Sequence, residues 1–332
     1  MLLLPPLVIA GYLAFKVATF WYTPAEKGGR EVVVQIPGGS SLLSASWLLA
    51  DSEVIRSVKP FVFMVKLRGQ ADRIQAGELM FRTDMTPAEV MEVLTRGKAV
   101  TYQVTIPEGY NMYQVASILA AKGLVKEERF LALSRDPEFC RSLEVPGDTL
   151  EGFLFPDTYS WPKGLSEEEV LSQMVARYKK VFTEDMRRRA REMGMTELEV
   201  VTLASIIEKE TGLPEERPLV SAVFHNRLKR AIPLCSDPTV IYGLDDFDGN
   251  ITREDLTRET PYNTYLIQGL PPGPISNPGR SSIWAALYPA PVKYLYFVSR
   301  NDGSHHFSTN LKEHNVAVWR YQKRGRAAPK LK

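Results

Sequence analysis

A pattern set down near the start of this chain returns later, at a constant spacing. Residues 34–50 match residues 104–120 at an offset of 70, with Ile36-Pro37-Gly38-Gly39 standing where the second copy has Ile106-Pro107-Glu108-Gly109. Each copy begins as a short apolar strand, turns at Ile-Pro-x-Gly and runs into an amphipathic helix. The later halves also correspond, residues 77–81 (GELMF) with residues 152–155 (GFLF) and residues 85–94 with residues 165–174. Thr86 with Glu89, and Ser166 with Glu169, read as capping boxes that start the second helix of each copy. The expected unit is strand, helix, strand, helix, so residues 31–165 are read as one duplicated α+β region.

The first 22 residues obey a different rule. Residues 2–22 are apolar apart from Lys16 and Thr19, and about 20 apolar residues suffice to cross a bilayer core as a helix. Lys16 can snorkel toward the headgroups, and Trp21 and Tyr22 suit an aromatic interface. No small-x-small cleavage site stands before Thr23-Pro24 and no basic stretch precedes the apolar run, so residues 1–22 read as a single membrane anchor rather than a cleaved signal peptide. Charge does not orient it. Residues 23–30, with Pro24, Gly28 and Gly29, are a linker.

Beyond residue 166 the texture is helical, with a catalytic region assigned to residues 166–322. Helices are expected over 170–181, 184–193, 196–211 and 214–230. The third starts at a Thr196–Glu199 capping box and is closed by Gly212. Asp237 and Pro238 read as N-cap and first position of a short helix. Residues 269–279 form a Pro/Gly loop. Residues 294–299 and 305–308 pair as a hairpin around Asn301-Asp302-Gly303, and Thr309 or Asn310 caps a last helix ending near Tyr321. Residues 323–332 are a basic tail. The fold class is therefore α+β, with a C-terminal β-hairpin.

Composition removes some functions. Lys and Arg number 41 against 39 Asp and Glu, a formal charge of +2, too small for a nucleic-acid footprint. The two cysteines, Cys140 and Cys235, lie in no metal-binding spacing. His305, His306 and His314 come without a carboxylate–histidine pattern such as HExxH, so neither a metal nor another cofactor is expected. His306 is read as a hydrogen-bonding residue of the hairpin.

The helix over 196–211 is apolar nearly all round, as a buried helix must be. At about 100° per residue, Glu208 falls on the side of Val201, Ala204 and Ser205, whereas Glu210 lies about 200° away, so the two cannot act as one pair. A carboxyl on the Glu208 side would be poorly solvated, and desolvation favours the protonated form that a general acid needs. The bland alternative, a polar last turn on a core helix, is the commoner outcome for such a pattern, because Glu is rarely fully buried.

Six ordered motifs reverse that prior: residues 203–211 (LASIIEKET), 223–228 (VFHNRL), 236–243 (SDPTVIYG), 260–265 (TPYNTY), 269–275 (GLPPGPI) and 277–279 (NPG). Together they resemble the YceG-like family of endolytic murein transglycosylases, and the resemblance extends over nearly the whole chain past the anchor. It implies an inner-membrane anchor, a LysM-like duplicated domain, for which Pro37-x-Gly39-x-Ser41 is a weak signature, and a catalytic domain outside the cytoplasmic membrane. It implies that Glu208 is catalytic, and that the substrate is peptidoglycan, cut at the MurNAc–GlcNAc bond within nascent strands to leave a 1,6-anhydro end. Peptidoglycan synthases are expected neighbours. For sugar binding, the residue types favour Asn226, Asp237, Tyr242, Tyr262, Asn263 and Tyr265, since amides bond hydroxyl and N-acetyl groups and aromatic faces stack on sugar rings. Core packing for each Tyr and helix capping for Asp237 stay open. Two rival functions also stay open, a muramidase with Asp237 as second carboxylate and a non-catalytic wall-binding scaffold.

Overall fold

The computed structural model describes residues 12, 15, 16, 19–97, 99–244 and 246–323. The candidate anchor over 1–22 and the tail over 323–332 fall largely outside them, and among the described residues no helix is long and apolar enough to cross a membrane. The chain divides into two compact units, Met1–Gln103 with Tyr159–Leu165, and Val104–Thr158 with Ser166–Lys332. That boundary falls inside the repeat.

In the first unit, β1 (Glu31–Ile36) is followed by α1 (Leu42–Asp51), α2 (Val58–Leu67), β2 (Gly77–Arg82) and α3 (Pro87–Arg96). The two strands pair antiparallel, from Glu31 opposite Arg82 to Ile36 opposite Gly77. Strand residues alternate faces: Val34, Ile36, Leu79 and Phe81 are buried, and Val33 and Met80 point outward. The inward face packs on Leu49, Phe61 and Leu94 from the three helices. The Thr86–Glu89 capping box forms as expected. Trp21 corrects the interfacial assignment. It is only 1% exposed, stacked on Phe61 at 6.2 Å with the Arg68 guanidinium over its ring, because so large an apolar ring gains most from burial in this core.

The second copy supplies β3 (Tyr102–Thr105), α4 (Met112–Ala121), α5 (Glu127–Ser134), α6 (Pro137–Ser142) and β4 (Thr158–Trp161), and β3 and β4 form a two-stranded sheet. Each copy thus carries more helix than its strand–helix–strand–helix pattern predicts. Residues 152–155, aligned with the start of β2, form a turn instead of a strand. Gly152 explains the difference: its φ is +87°, and a Cβ there would stand 2.5 Å from Pro274 and 2.8 Å from Val201, a close approach open only to glycine.

The rest of the second unit is α7 (Glu167–Val181), α8 (Glu184–Glu192), α9 (Glu197–Glu210), α10 (Arg217–Leu228), α11 (Asp237–Tyr242), α12 (Arg280–Leu287), β5 (Tyr296–Ser299), β6 (His305–Ser308) and α13 (Leu311–Val318). Every residue from Val200 to Ile207 is buried, so α9 is the central rod, packed against α10 and α12. It opens on the expected Thr196–Glu199 box. Its end differs from expectation. Thr211, in extended conformation at φ −145°, is the C-cap, and Gly212 does not take up a left-handed conformation. The Thr211 N–H donates to the Ile207 carbonyl, and its hydroxyl accepts from Leu213 N at 3.1 Å and donates to Glu216 at 3.3 Å, which fixes the exit from the helix. Ser236, rather than Asp237, is the N-cap of α11. The hairpin pairs Ser299 with His305 and Tyr296 with Ser308, and Asn310 caps α13.

Candidate active site

The last turn of α9 sends its two carboxylates to opposite sides, as the helical angle requires. Glu208 goes to a closed cluster. Its side chain is 5% exposed, one oxygen accepting from Arg217 Nη2 at 2.8 Å and the other from the Gly279 amide at 2.9 Å. The same Arg217 nitrogen stands 3.5 Å from Glu108. Burial, and next the charge of Glu208, push the Glu108 carboxyl above its ordinary range, against the pull of Arg217. Gly279 leaves room for Glu108, whose carboxylate would have to move aside for a Cβ there. Glu208 is therefore desolvated, as the helix pattern predicts, but both its oxygens are already taken by charge-assisted or backbone hydrogen bonds.

Glu210 goes to a cavity of about 400 Å³, whose lining includes Arg227, Cys235, Asp237, Tyr265 and His305. The Ser236 hydroxyl donates to its carboxylate. Burial pushes this carboxyl up to about 7; the Ser236 hydrogen bond opposes the rise, the Asp237 charge adds to it, and His305 and Arg227 lower it. A carboxyl poised near neutrality on a polar cavity can donate a proton and take one back. On the same wall Tyr265 donates to Asp237 at 2.6 Å, and burial followed by Asp237 pushes the phenol up.

The expected sugar-binding residues divide three ways. Asp237 and Tyr265 join Glu210 at the cavity. Asn263 is fully buried behind them, donating to the Leu256 and Arg258 carbonyls and accepting from Tyr265 N at 3.0 Å, which fixes the loop that carries Tyr265. Tyr242 and Tyr262 meet edge to face at 4.9 Å, and Tyr242 donates to Glu151 at 3.1 Å. Asn226 donates to the carbonyls of Val292 and Tyr294, both at 2.9 Å, and so ties α10 to the segment entering β5. His306 lies beside Tyr321, at 5.8 Å between rings, whereas His305 and His314 line the Glu210 cavity.

Glu151 is a further carboxyl that the sequence did not single out. It is 1% exposed and accepts from Met112 N, from Tyr242 and, at 3.1 Å, from Asn277. Burial pushes it up to about 7 against those donors. Asn277 also accepts from Leu154 N and donates to the Tyr110 carbonyl, so one amide fastens the Pro/Gly loop to the second repeat copy. Ser205 fastens the same loop to α9, accepting from Ile275 N at 3.0 Å.

A two-unit α+β chain, with an acid at the end of a buried helix and a polar cavity in front of it, defines the class, and comparison with known proteins gives the family. The chain belongs to the YceG-like family, whose family-wide pattern matches residues 34–320. It is 33% identical to an endolytic murein transglycosylase of Bacillus subtilis, over 95% of this chain and 91% of that protein. It is 28% identical to one of Streptococcus pneumoniae, over 93% of this chain and 62% of the other. A crystal structure of a YceG-like protein from Listeria monocytogenes is 34% identical, with a TM-score of 0.60, covering 87% of this chain and all of that one.

Proposed function

We propose that this chain is an endolytic murein transglycosylase that cuts inside peptidoglycan glycan strands, and that Glu208 is the acid that starts the reaction. The observation that carries this assignment is the Glu208 carboxyl, 5% exposed at the end of α9, held by Arg217 and the Gly279 amide beside Glu108. The named relatives support the reaction class. Glu208 is the residue that the resemblance puts in this role, and Arg217 and the Gly279 amide orient its carboxyl.

In the proposed reaction Glu208 protonates the oxygen leaving C1 of a MurNAc unit as the glycosidic bond breaks. The C6 hydroxyl of the same sugar closes on C1 and gives its proton to the Glu208 carboxylate, leaving a 1,6-anhydro end and restoring the acid. Nucleophile and electrophile belong to one ring, so no water has to be positioned. Residues 1–22 would anchor the chain in the cytoplasmic membrane with the catalytic unit on its outer side, near peptidoglycan synthases, and the LysM-like first unit would hold glycan.

Purified glycan strands digested by wild type, Glu210→Gln and Glu208→Gln, with products read by mass spectrometry, test the assignment. Anhydro ends should vanish with Glu208→Gln and persist with Glu210→Gln. Normal cleavage by Glu208→Gln removes that residue from the mechanism. Asp237, a carboxylate on the cavity at the other side of α9, gives one other reading: products heavier by one water, with free reducing ends, would make the enzyme a muramidase. A glycan-binding scaffold would give no cleavage with any of the three proteins.

A further inference from the structure

Helix α12 begins where the Glu208 carboxylate is held: Gly279, whose amide donates to Glu208 at 2.9 Å, is its N-cap. The helix has two faces. Ile283, Ala286 and Leu287 are fully buried, whereas Arg280, Trp284 and Tyr288 are exposed, the two aromatic side chains at 48% and 37%. Residues four apart share one side of a helix, so these three form a single stripe. At 1.5 Å per residue the stripe runs about 12 Å away from the end that carries Gly279. Glu108, the half-exposed member of the Glu208 cluster, stands at that same end, in the space beside Gly279.

The stripe lines a cavity of about 420 Å³ whose other wall is α8, through Asp185, Arg188 and Arg189. Both helices belong to the same compact unit as Glu208. Trp284 stacks on Tyr288, with ring centroids 4.2 Å apart and 26° between the planes. The Arg189 guanidinium lies over the Tyr288 ring at 5.2 Å and is itself tied to the Leu287 carbonyl and to Glu192, both at 3.2 Å. The aromatic wall is therefore preorganised, and a ligand does not have to order it. Positive charge is left over at one end. Arg188 pairs with Asp185 at 2.8 Å and Arg189 with Glu192, but Arg280 takes no carboxylate among the described residues.

We propose that Arg280, Trp284 and Tyr288 form a distal glycan subsite, in which the strand leaving the Glu208 centre lays a sugar ring on the Trp284–Tyr288 wall while Arg280 binds a carboxylate carried on the O3 arm of a MurNAc unit. This rests on the transglycosylase reading above and deepens it, by naming what the enzyme holds besides the bond it cuts. Aromatic faces take sugar rings, and the charged side chains around them bond hydroxyl and amide groups. MurNAc brings a carboxylate in either of its forms, as the free lactyl acid of a bare strand or on the peptide stem attached there. A protein partner fits less well, because apart from Met186 and the two rings the lining is polar or charged. Continuity with the Glu208 cluster through Gly279 puts the stripe where a strand extends beyond the reacting sugar.

The test is steady-state cleavage of long purified glycan strands by the full chain in detergent, for wild type, Trp284→Ala, Trp284→Phe, Arg280→Gln and Glu208→Gln. Trp284→Ala should raise KM about 10-fold, the size of one lost stacking contact, with kcat nearly unchanged. Trp284→Phe keeps a flat ring and should recover most of that loss. Arg280→Gln should raise KM about 3-fold on strands that carry the carboxylate it binds, and should match wild type once the carboxyls of those strands are amidated. A defect already present on bare strands assigns Arg280 to the lactyl acid, and one confined to stem-bearing strands assigns it to the peptide. An unchanged KM in either Trp284→Ala or Arg280→Gln overturns the subsite. A lowered kcat with KM unchanged also overturns it, since that marks a structural role through Gly279. So does a changed oligomeric state of Trp284→Ala without a KM effect, which would give the stripe to a contact between copies. Glu208→Gln keeps the two readings apart: normal cleavage by that variant sinks the choice of acid and leaves the KM comparison standing.

Discussion

Replacing Glu151 with Gln should change the pH dependence of folding more than its level at acid pH. Glu151 is 1% exposed, and burial pushes its carboxyl from 4.5 up to about 7. A folded-state pKa above the unfolded one means that, between those values, the folded chain keeps a proton that the unfolded chain has released. Stability from this group is therefore intact below about 4.5 and is lost as pH rises to about 7. At about 1.4 kcal/mol for each pH unit between the two values, ionising Glu151 in place costs about 3 kcal/mol, of which about 2 kcal/mol falls between pH 5 and pH 8. Gln does not titrate. Its amide also puts a donor opposite Met112 N and Asn277, so the variant should be the less stable protein at pH 5. Glu210, with the same rise to about 7, titrates in both proteins and cancels in the comparison. Urea unfolding of the full chain in one detergent, at pH 5 and pH 8, gives the two differences. The gap between variant and wild type should move in the variant's favour by about 2 kcal/mol across that range. A gap unchanged to within about 0.5 kcal/mol, near the error of such measurements, means that Glu151 ionises in the fold as it does in water, and the burial argument fails.

Arg217→Met strands the Glu208 carboxylate without its cation and should cost about 3–5 kcal/mol in urea unfolding, much of it recovered when Glu208→Met is added. Gly152→Ala forces a Cβ against Pro274 and Val201 at a φ of +87°; it should lower stability by about 2 kcal/mol or more and lower the Tm, whereas a neutral result means that the turn can move aside.

Much of the fold was legible because local chemistry and burial agree. The capping boxes at Thr86, Ser166 and Thr196 form where Ser/Thr and Glu stand three apart. The all-round apolar pattern of residues 198–207 does become a buried rod, and the hairpin follows its Asn-Asp-Gly turn. The site was less legible. Helical geometry correctly set Glu208 and Glu210 on opposite sides, but it does not say which side meets a cavity. That depends on Ser236, Asp237 and Tyr265, which reach α9 from distant sequence. Arg217 likewise closes on Glu208 from another helix. One signal was available for Glu108: it stands where the first copy has Gly38, and a charge appearing at a glycine position of a repeat marks the copy that has taken on a new contact. Nothing local marks Glu151, whose partners Tyr242 and Asn277 are far along the chain.

Asn277 carries a practical consequence for anyone trimming this protein. Its side chain grips Leu154, Tyr110 and Glu151, so the loop beside Glu208 is moored to residues 104–158. A fragment cut at residue 166 would leave that mooring behind and strip the cover from Arg217 and Glu208. Whatever the ancestral duplication once provided, its second half has become masonry of the enzyme body and can no longer be excised as a free-standing module.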